Sequence, residues 1–442
     1  MENVLLYILG VLILVVGLAV SIGLHEIGHL VPAKLFGVRV SQYMIGFGPT
    51  LFSRKRGETE YGLKAIPLGG YISMAGMFPP GKSHDNSRSS TTSVFQTLVQ
   101  DARESSADTL TDVDESRAFY KLPVFKRIII MLGGPFMNLL IAIVMFAILL
   151  MGFGTAQAST TISSVSECVI PASADRDACT DSDPVAPALA AGIQPDDRIV
   201  SMDGEPIATW DEITEHIRAA AGDQLTIVVE RAGEEVTLTA EPLLAERYVY
   251  DDSGQIAEND DGEALTEEYG FLGIGPAAET VQQPVTAVLP AVGDNIVAVA
   301  KVVLTLPQRM VDVVIAAFGP EERDPNGPIG LVGVGRIAGE ATSLQAATVA
   351  DRAAYLISLV GSLNVALFVF NLVPLLPLDG GHVAGALFEG VRRFFAKLFG
   401  KPDPGPLDTA KFVPLTLVVV VLLGIMTLLL VYADIVKPIS PF

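Results

Sequence analysis

Residues 24–30, with the sequence LHEIGHL, place two histidines and a glutamate at the end of a long apolar segment. From Asn3 to Leu24 the chain contains no Asp, Glu, Lys, Arg or His, so this segment can cross a bilayer as a helix. An ionisable side chain at that depth costs about 2.5 kcal/mol or more on insertion scales. A cluster of such groups therefore indicates a functional site.

His25 and His29 are four residues apart, so on a helix their imidazoles share one face and Glu26 projects beside them. This spacing suits Zn²⁺ held by two neutral imidazole nitrogens, with the carboxylate placed to take a proton from a water molecule. A chance match to the short motif HExxH is common in soluble proteins. Inside a membrane helix, the cost of burial argues against chance.

A catalytic zinc takes three protein ligands and keeps one position open. Asp379 is the first charged residue at the end of the third apolar segment, in the sequence NLVPLLPLDGGH. Zn²⁺, ionised Asp379 and Glu26, and neutral histidines together carry no net charge, which offsets the cost of burying each group. We therefore predict His25, His29 and Asp379 as zinc ligands.

The other three histidines carry less weight. His382 is an alternative third ligand, but the intervening Gly380 and Gly381 argue against a helical pair with Asp379. A structural role, or a role in supporting the metal ligands, is the better interpretation of His382. His84 in a polar linker and His216 on a predicted helix suit solvated or packing roles.

Four apolar segments predict a polytopic membrane protein. The chain has 442 residues, of which 50% are hydrophobic, and a span needs about 20 apolar residues. Met1 to Asn3 supply no cationic region, so the first segment is expected to be a mature helix rather than a signal peptide. The predicted spans are Asn3 to about Val31, Ile128 to about Gly154, Ala353 to Leu378, and Phe412 to Ala433.

The distribution of charge predicts the orientation. Lys and Arg number 13 between Val31 and Arg127 and five between Leu378 and Lys411. Positive connections near spans mark the cytoplasmic side, so both termini and residues 151–352 are expected outside an inner cell membrane, with the active site toward the cytoplasm. Residues 151–352 hold 34 acidic and 10 basic side chains, which offers no footprint for nucleic acid.

The two cysteines of the chain, Cys168 and Cys179, both lie in this acidic outer region. We predict a local disulfide between them, because that side is oxidising and a thiolate metal site would need more ligands.

Shifts of composition predict the domain organisation. The segment 160–276 has a turn at Asp203-Gly204, a capping box at Thr209 and Glu212, and an acidic loop from Glu246 to Glu268. The predicted divisions are 1–34, the first span; 35–77, short strands; 78–126, a loose polar linker; 127–155, the second span; 160–276, a soluble α+β domain; 280–350, amphipathic helices at the membrane surface; 353–379, the third span; 380–410, a cytoplasmic connection; and 411–434, the fourth span.

Several motifs together resemble the site-2 protease family of intramembrane zinc metalloproteases, in its bacterial branch with one PDZ domain. They are HEIGH at 25–29, PLGGYISMAG at 67–76, GGPFMN at 133–138, LDG at 378–380 and the PDZ-like sequence AGIQPDDRIVSMDGEPI at 191–207. The resemblance covers nearly the whole chain. It implies a four-span helical membrane protein with a cytoplasmic β-rich region and an extracytoplasmic PDZ domain.

For the site, the resemblance implies His25, His29 and Asp379 as zinc ligands and Glu26 as general base. It also points to Asn371, to hold substrate or the oxyanion, and to Asn138, to line the site; helix packing is the alternative for both. The implied substrates are single-pass membrane proteins, such as anti-sigma factors, after a first cut outside the membrane. The PDZ domain then acts as a gate on substrates, or only as a spacer.

Two other functions remain open from the sequence alone. A catalytically inactive membrane adaptor would not need Glu26, since zinc binding alone does not require that carboxylate. A metal transporter would need several ligand sets along a path through the membrane, and the sequence contains one.

Overall fold

The computed structural model describes residues 2–79, 94–110, 114–172, 174, 176, 178–249, 256, 257, 259, 264–320 and 322–440. The chain divides into two compact units. The first combines Met1–Phe153 with Gln283–Phe442, and the second is Gly154–Gln282. Much of the predicted acidic loop and part of the predicted linker, including His84, lie outside the described residues.

The first unit begins with the long helix that carries the histidine motif. Pro32 lies near the C-terminal end of this helix. Two strands and two further helices follow. Their ranges are α1, Glu2–Leu35; β1, Val40–Arg56; β2, Thr59–Met74; α2, Val94–Asp108; and α3, Val124–Ala147, which continues as a π-helix over Ile148–Phe153.

The predicted loose linker is ordered where it is described, so that prediction was wrong for these residues. Besides α2 it contains short 3₁₀ helices at Glu115–Arg117 and Phe119–Lys121. The side chains of Phe119 and Tyr120 are buried, and the Arg103 guanidinium pairs with Asp408 at 2.5 Å. Isolated apolar and charged residues in a polar segment anchor it through partners distant in sequence, which the local composition does not indicate.

The second unit is built on an antiparallel sheet. Its elements are β3, Thr155–Val165; α4, Pro187–Ala190; β4, Arg198–Met202; β5, Glu205–Pro206; α5, Trp210–Ala219; β6, Leu225–Arg231; β7, Glu234–Ala240; β8, Leu243–Tyr248; β9, Thr266–Phe271; and β10, Ile274–Val281. The main sheet has the order β10-β3-β4-β6-β7, with β5 beside β4, while β8 and β9 form a separate pair.

Local signals in this unit behave as the sequence predicts. Thr209 and Glu212 form the capping box of α5. The turn between β6 and β7 needs two residues of positive φ, which Ala232 (52°) and Gly233 (86°) supply. The core packs Ile199, Ile213 and Ile227 with other buried apolar residues. The structure joins Cys168 and Cys179 in a disulfide with a Cα–Cα distance of 6.0 Å.

The chain returns to the first unit with five helices: α6, Val288–Phe318; α7, Leu331–Ser343; α8, Val349–Leu372; α9, Asp379–Leu398; and α10, Val413–Val436. Within the described residues, five helical segments are long and apolar enough to cross a membrane: Asn3–Leu35, Val124–Phe153, Val285–Phe318, Val349–Leu372 and Thr409–Val436. Their large apolar side chains are widely exposed, as lipid-facing residues are.

This number exceeds the four predicted spans because α6 is one continuous apolar helix. The sequence analysis placed amphipathic surface helices there, since Asp294, Lys301, Arg309 and Asp312 interrupt the apolar run. A helix of 31 residues nevertheless accommodates these charges and retains an apolar window long enough to span.

The third predicted span ends earlier than expected. Helix α8 stops at Leu372, and a short segment with a cis peptide bond between Leu376 and Pro377 separates it from α9. Proline has no N–H to continue a helix. Asp379 therefore opens a new helix instead of ending α8, and the prediction of a span reaching 378–379 was wrong.

Candidate metal centre

Helix α1 carries His25, Glu26 and His29 through one regular turn near its end. The Nε2 atoms of His25 and His29 lie 3.2 Å apart. Both rings face α3, so the i, i+4 spacing read from the sequence produces the shared face that a metal site needs.

Glycines bring α3 close to this face. A β-carbon added to Gly28 would lie 2.2 Å from the carbonyl oxygen of Gly133, and one added to Gly134 would lie 2.2 Å from Nε2 of His29. Only residues without a side chain permit this approach of two helix backbones. The pair Gly133-Gly134 is recognisable in the sequence as part of a motif, but its steric role depends on which helix lies opposite and is not visible there.

The outer nitrogen of each ring has a partner on α3. Nδ1 of His29 lies 2.7 Å from the carbonyl oxygen of Ile130 and must donate to it. In a neutral imidazole, the other nitrogen then carries a lone pair. Nδ1 of His25 lies 3.1 Å from the amide of Asn138, a side chain with no exposed surface. Backbone carbonyls such as that of Ile130 leave no trace in a sequence, so this contact could not be predicted.

Asp379 completes the cluster from the first turn of α9. Its Oδ2 atom lies 3.3 Å from Nε2 of His25 and 3.3 Å from Nε2 of His29. The three residues form the group of potential metal ligands found among the described residues. Neighbouring donors of a tetrahedral zinc with bonds of about 2.0–2.1 Å stand about 3.3–3.4 Å apart. The spacing and the donor types therefore fit zinc.

The hydrogen bonds of the cluster are incomplete without a cation. Oδ2 of Asp379 is buried and accepts no hydrogen bond from any described residue. Since Nε2 of His29 holds a lone pair, it faces this oxygen as a second acceptor. Acceptors that converge at this distance repel one another unless a cation lies between them.

Helix α9 is fixed to α3 by a buried ion pair, which holds Asp379 in place. Arg127 of α3 donates to Oε1 of Glu389 over 2.6 Å, and Oε2 of Glu389 accepts from the N–H of Leu407 at 2.8 Å. The Glu389 side chain has no exposed surface. This pair was not predicted from the sequence, although two opposite charges beside apolar segments are a signal that could have indicated it.

Glu26 is buried beside the cluster, and no residue of the described chain donates a hydrogen bond to its carboxylate. Residue Gly70 of β2 lies against it, since a β-carbon at Gly70 would be 2.9 Å from Cγ of Glu26. A carboxylate without a protein partner is available to bond a water molecule or a substrate group.

Strand β2 brings Gly70 to Glu26 because the hairpin is folded on itself. Residues in the first half of β1 have partners in both halves of β2, as with Ile45, which pairs with Gly70 and with Leu63. Residues 70–74 consequently have β1 on one side, and no other strand within the described residues pairs with them. Their second side is a sheet edge.

The remaining predicted residues are placed differently. Asn371 is half-buried in the last turn of α8, eight residues before Asp379, and its side chain has no hydrogen bond to the described residues. His382 lies with Asp379 in the first turn of α9. The expectation that the glycines would prevent this helical pair was wrong, yet His382 is outside the ligand group. His216 lies on α5 in the second unit.

Comparisons with known proteins show which family the chain is similar to. A family model described as Peptidase family M50 matches residues 13–400. The zinc metalloprotease Rip1 of Mycobacterium tuberculosis is 32% identical over 450 residues, covering 99% of this chain and 100% of Rip1. Rip1 of Mycolicibacterium smegmatis is 31% identical over 98% of this chain and 99% of its own. The metalloprotease MmpA of Caulobacter vibrioides is 28% identical over 87% and 88%.

Proposed function

Because the chain belongs to peptidase family M50 and is a zinc metalloprotease, we propose that it hydrolyses a peptide bond in or beside the transmembrane helix of another membrane protein. The proposed zinc ligands are His25, His29 and Asp379, and the proposed general base is Glu26. The main support is the spacing of the three donor atoms, 3.2–3.3 Å, where the first turn of α9 meets the apolar helix α1.

The catalytic steps assigned to this chain are proton transfers and positioning. Zinc, when bound, supplies Lewis acidity that polarises a peptide carbonyl and lowers the pKa of a water molecule toward about 7. Glu26 then accepts the proton of the attacking water and passes it to the leaving amine. No described residue donates a hydrogen bond to the Glu26 carboxylate, which supports this role. A carboxylate that was paired with an arginine or lysine would be a weaker base. Asn371, at the end of α8, is proposed to hold the substrate or its oxyanion.

A helical substrate must unwind before it is cut, because its carbonyl groups are engaged in hydrogen bonds along the helix. The edge formed by residues 70–74 is proposed to receive the unwound segment as an added strand, which replaces the lost backbone bonds. The contact between Gly70 and Glu26 supports this, since a strand added at that edge would run beside the general base. Packing against the membrane is the alternative role of the hairpin.

The second unit is proposed to be a PDZ domain outside the inner membrane that admits substrates only after a first cut. Its strands, its capped helix α5 and the PDZ-like sequence at 191–207 support this assignment. The proposed substrates are single-pass proteins such as anti-sigma factors. The excess of Lys and Arg in 31–127 supports an active site that opens toward the cytoplasm.

The test is cleavage of a model single-pass substrate by the purified chain in lipid nanodiscs, with Glu26→Gln as the matched variant. Chelation should abolish cleavage and Zn²⁺ should restore it. Glu26→Gln should lower the rate by roughly 10²–10⁴-fold while the protein still binds zinc. Cleavage that persists in the Glu26→Gln variant or after complete removal of the metal would refute the proposal.

A further inference from the structure

The amide of Asn138 contacts the outer nitrogen of His25, and we propose that it is a positioning residue that fixes the tautomer of this ligand. The inference rests on the proposed function, because it assumes that His25 binds zinc. It gives Asn138 a specific role in place of the general one, lining the site, that the resemblance implied.

The hydrogen bond of His29 shows what a metal-binding histidine needs at its outer nitrogen. Its Nδ1–H donates to the carbonyl oxygen of Ile130 over 2.7 Å, which leaves the lone pair of Nε2 toward Asp379. His25 presents its Nε2 to the same oxygen at 3.3 Å. To bind a metal in the same way, His25 also needs an acceptor at its Nδ1.

Asn138 is the side chain at that position. Its amide nitrogen stands 3.1 Å from Nδ1 of His25, while its oxygen, Oδ1, is buried and has no hydrogen bond to the part of the chain that the structure describes. The two ends of the amide have nearly the same size and shape, so half a turn of the group exchanges them. Oδ1 then accepts the Nδ1 proton of His25, and Nε2 of His25 is left with a lone pair for the metal.

The opposite orientation has the reverse effect. If the amide nitrogen donates to Nδ1, the neutral His25 carries its proton on Nε2, inside the ligand cluster, where a cation would have to displace it. The two orientations therefore make opposite predictions for a side chain that can only accept. A carboxylate introduced by Asn138→Asp would satisfy the first orientation and not the second.

The experiment compares Asn138→Ala and Asn138→Asp in the full-length protein, stripped of metal and titrated with Zn²⁺ against a chelating dye. Asn138→Ala should weaken zinc binding by roughly 10–100-fold, and Asn138→Asp should stay within a few-fold of the unmodified chain. The Co²⁺ absorption spectrum should be altered in Asn138→Ala and restored in Asn138→Asp. A structural role alone would not produce this difference.

Asn364→Ala is the matched control. Asn364 is a buried asparagine of α8 whose amide donates to Ser21 on α1 over 2.9 Å, and its Oδ1 also has no hydrogen bond. The Asn364→Ala variant should have a lowered melting temperature, as Asn138→Ala should, but an unchanged zinc affinity. Full zinc affinity in Asn138→Ala, or equal weakening in Asn138→Asp, would overturn the inference. Full affinity in His25→Ala would instead overturn the ligand assignment itself.

Discussion

Gly134 of α3 lies so close to His29 of α1 that a β-carbon at Gly134 would stand 2.2 Å from the Nε2 atom of the imidazole. The same β-carbon would lie 2.7 Å from two ring atoms of His25. A single methyl group at this position must displace α3 or turn both rings. The distance between the two helices therefore determines whether the ligand cluster can form.

Gly134→Ala is predicted to lower zinc affinity by roughly 10–100-fold or more. Removing a hydrogen-bond partner of a metal ligand typically costs that much, and displacing the two imidazole rings should cost at least as much. Equilibrium titration of the metal-free protein with Zn²⁺ measures this. Gly424→Ala in α10 is the control, since a β-carbon there meets no atom within 4 Å. Alanine normally stabilises a helix by about 0.5–1 kcal/mol relative to glycine. A loss of zinc affinity in Gly134→Ala but not in Gly424→Ala would therefore be due to the steric effect.

Asp379→Asn is predicted to lower zinc affinity strongly and abolish cleavage. The amide removes the negative charge that balances the cation, and it can place an N–H donor toward the two imidazole nitrogens 3.3 Å away. Metal analysis of the purified variant measures the loss. Asp403→Asn is the control, because Asp403 is an exposed carboxylate in the segment after α9. Full zinc occupancy in Asp379→Asn would show that Asp379 is not a ligand.

The edge at residues 70–74 predicts where an unwound substrate can be trapped. A photo-crosslinking amino acid at Ser73 should capture substrate held by the Glu26→Gln variant, because Ser73 lies on the same strand end as Gly70. Lys55 is the matched control position, since it lies on the opposite edge of the same sheet: it pairs with Glu60, which pairs in turn with Gln42, the partner of Ser73. Equal crosslinking at both positions would argue that the hairpin contacts substrate nonspecifically.

The candidate site residues could be singled out from the sequence because ionisable residues are costly in apolar segments and therefore conspicuous. His25, Glu26, His29 and Asp379 stand out by this criterion alone. The contacts that orient them could not be predicted in the same way. The carbonyl of Ile130 has no side-chain identity, and the close approach at Gly134 depends on which helices are neighbours.

The fold shows the same division between local and distant causes. The capping box of α5 and the turn at Ala232-Gly233 were predictable because adjacent residues determine them. For α6 the sequence predicts amphipathic helices, and the structure has one continuous helix over Val288–Phe318, because its scattered charges do not interrupt the helix. The proline-containing break before Asp379 was visible in the sequence, but the apolar run through it favoured a longer span.

The last prediction concerns the stability of the second unit at low pH. Burial raises the pKa of the Asp197 carboxyl, but hydrogen bonds from Arg231 and from the Gln194 N–H lower it more, so the pKa is below its ordinary value. Arg231 binds both oxygens, at 2.7 and 2.8 Å. A lowered folded-state pKa contributes stability above the unfolded pKa of about 3.9, and this contribution is lost as the pH falls through the folded-state value.

Trp210 allows this loss to be measured in the intact chain, because it is the sole tryptophan and packs against the core of the second unit. Its fluorescence melting temperature should fall as the pH is lowered from 5 to 3. Asp197→Asn should melt at a lower temperature than the unmodified chain at pH 7, and the difference should shrink toward pH 3 because protonation removes the same charge. An exposed acidic control outside the helices and strands, Asp223→Asn, should change neither the melting temperature at pH 7 nor its dependence on pH. A difference between Asp197→Asn and the unmodified chain that stays constant with pH would mean that Asp197 is not ionised in the folded unit.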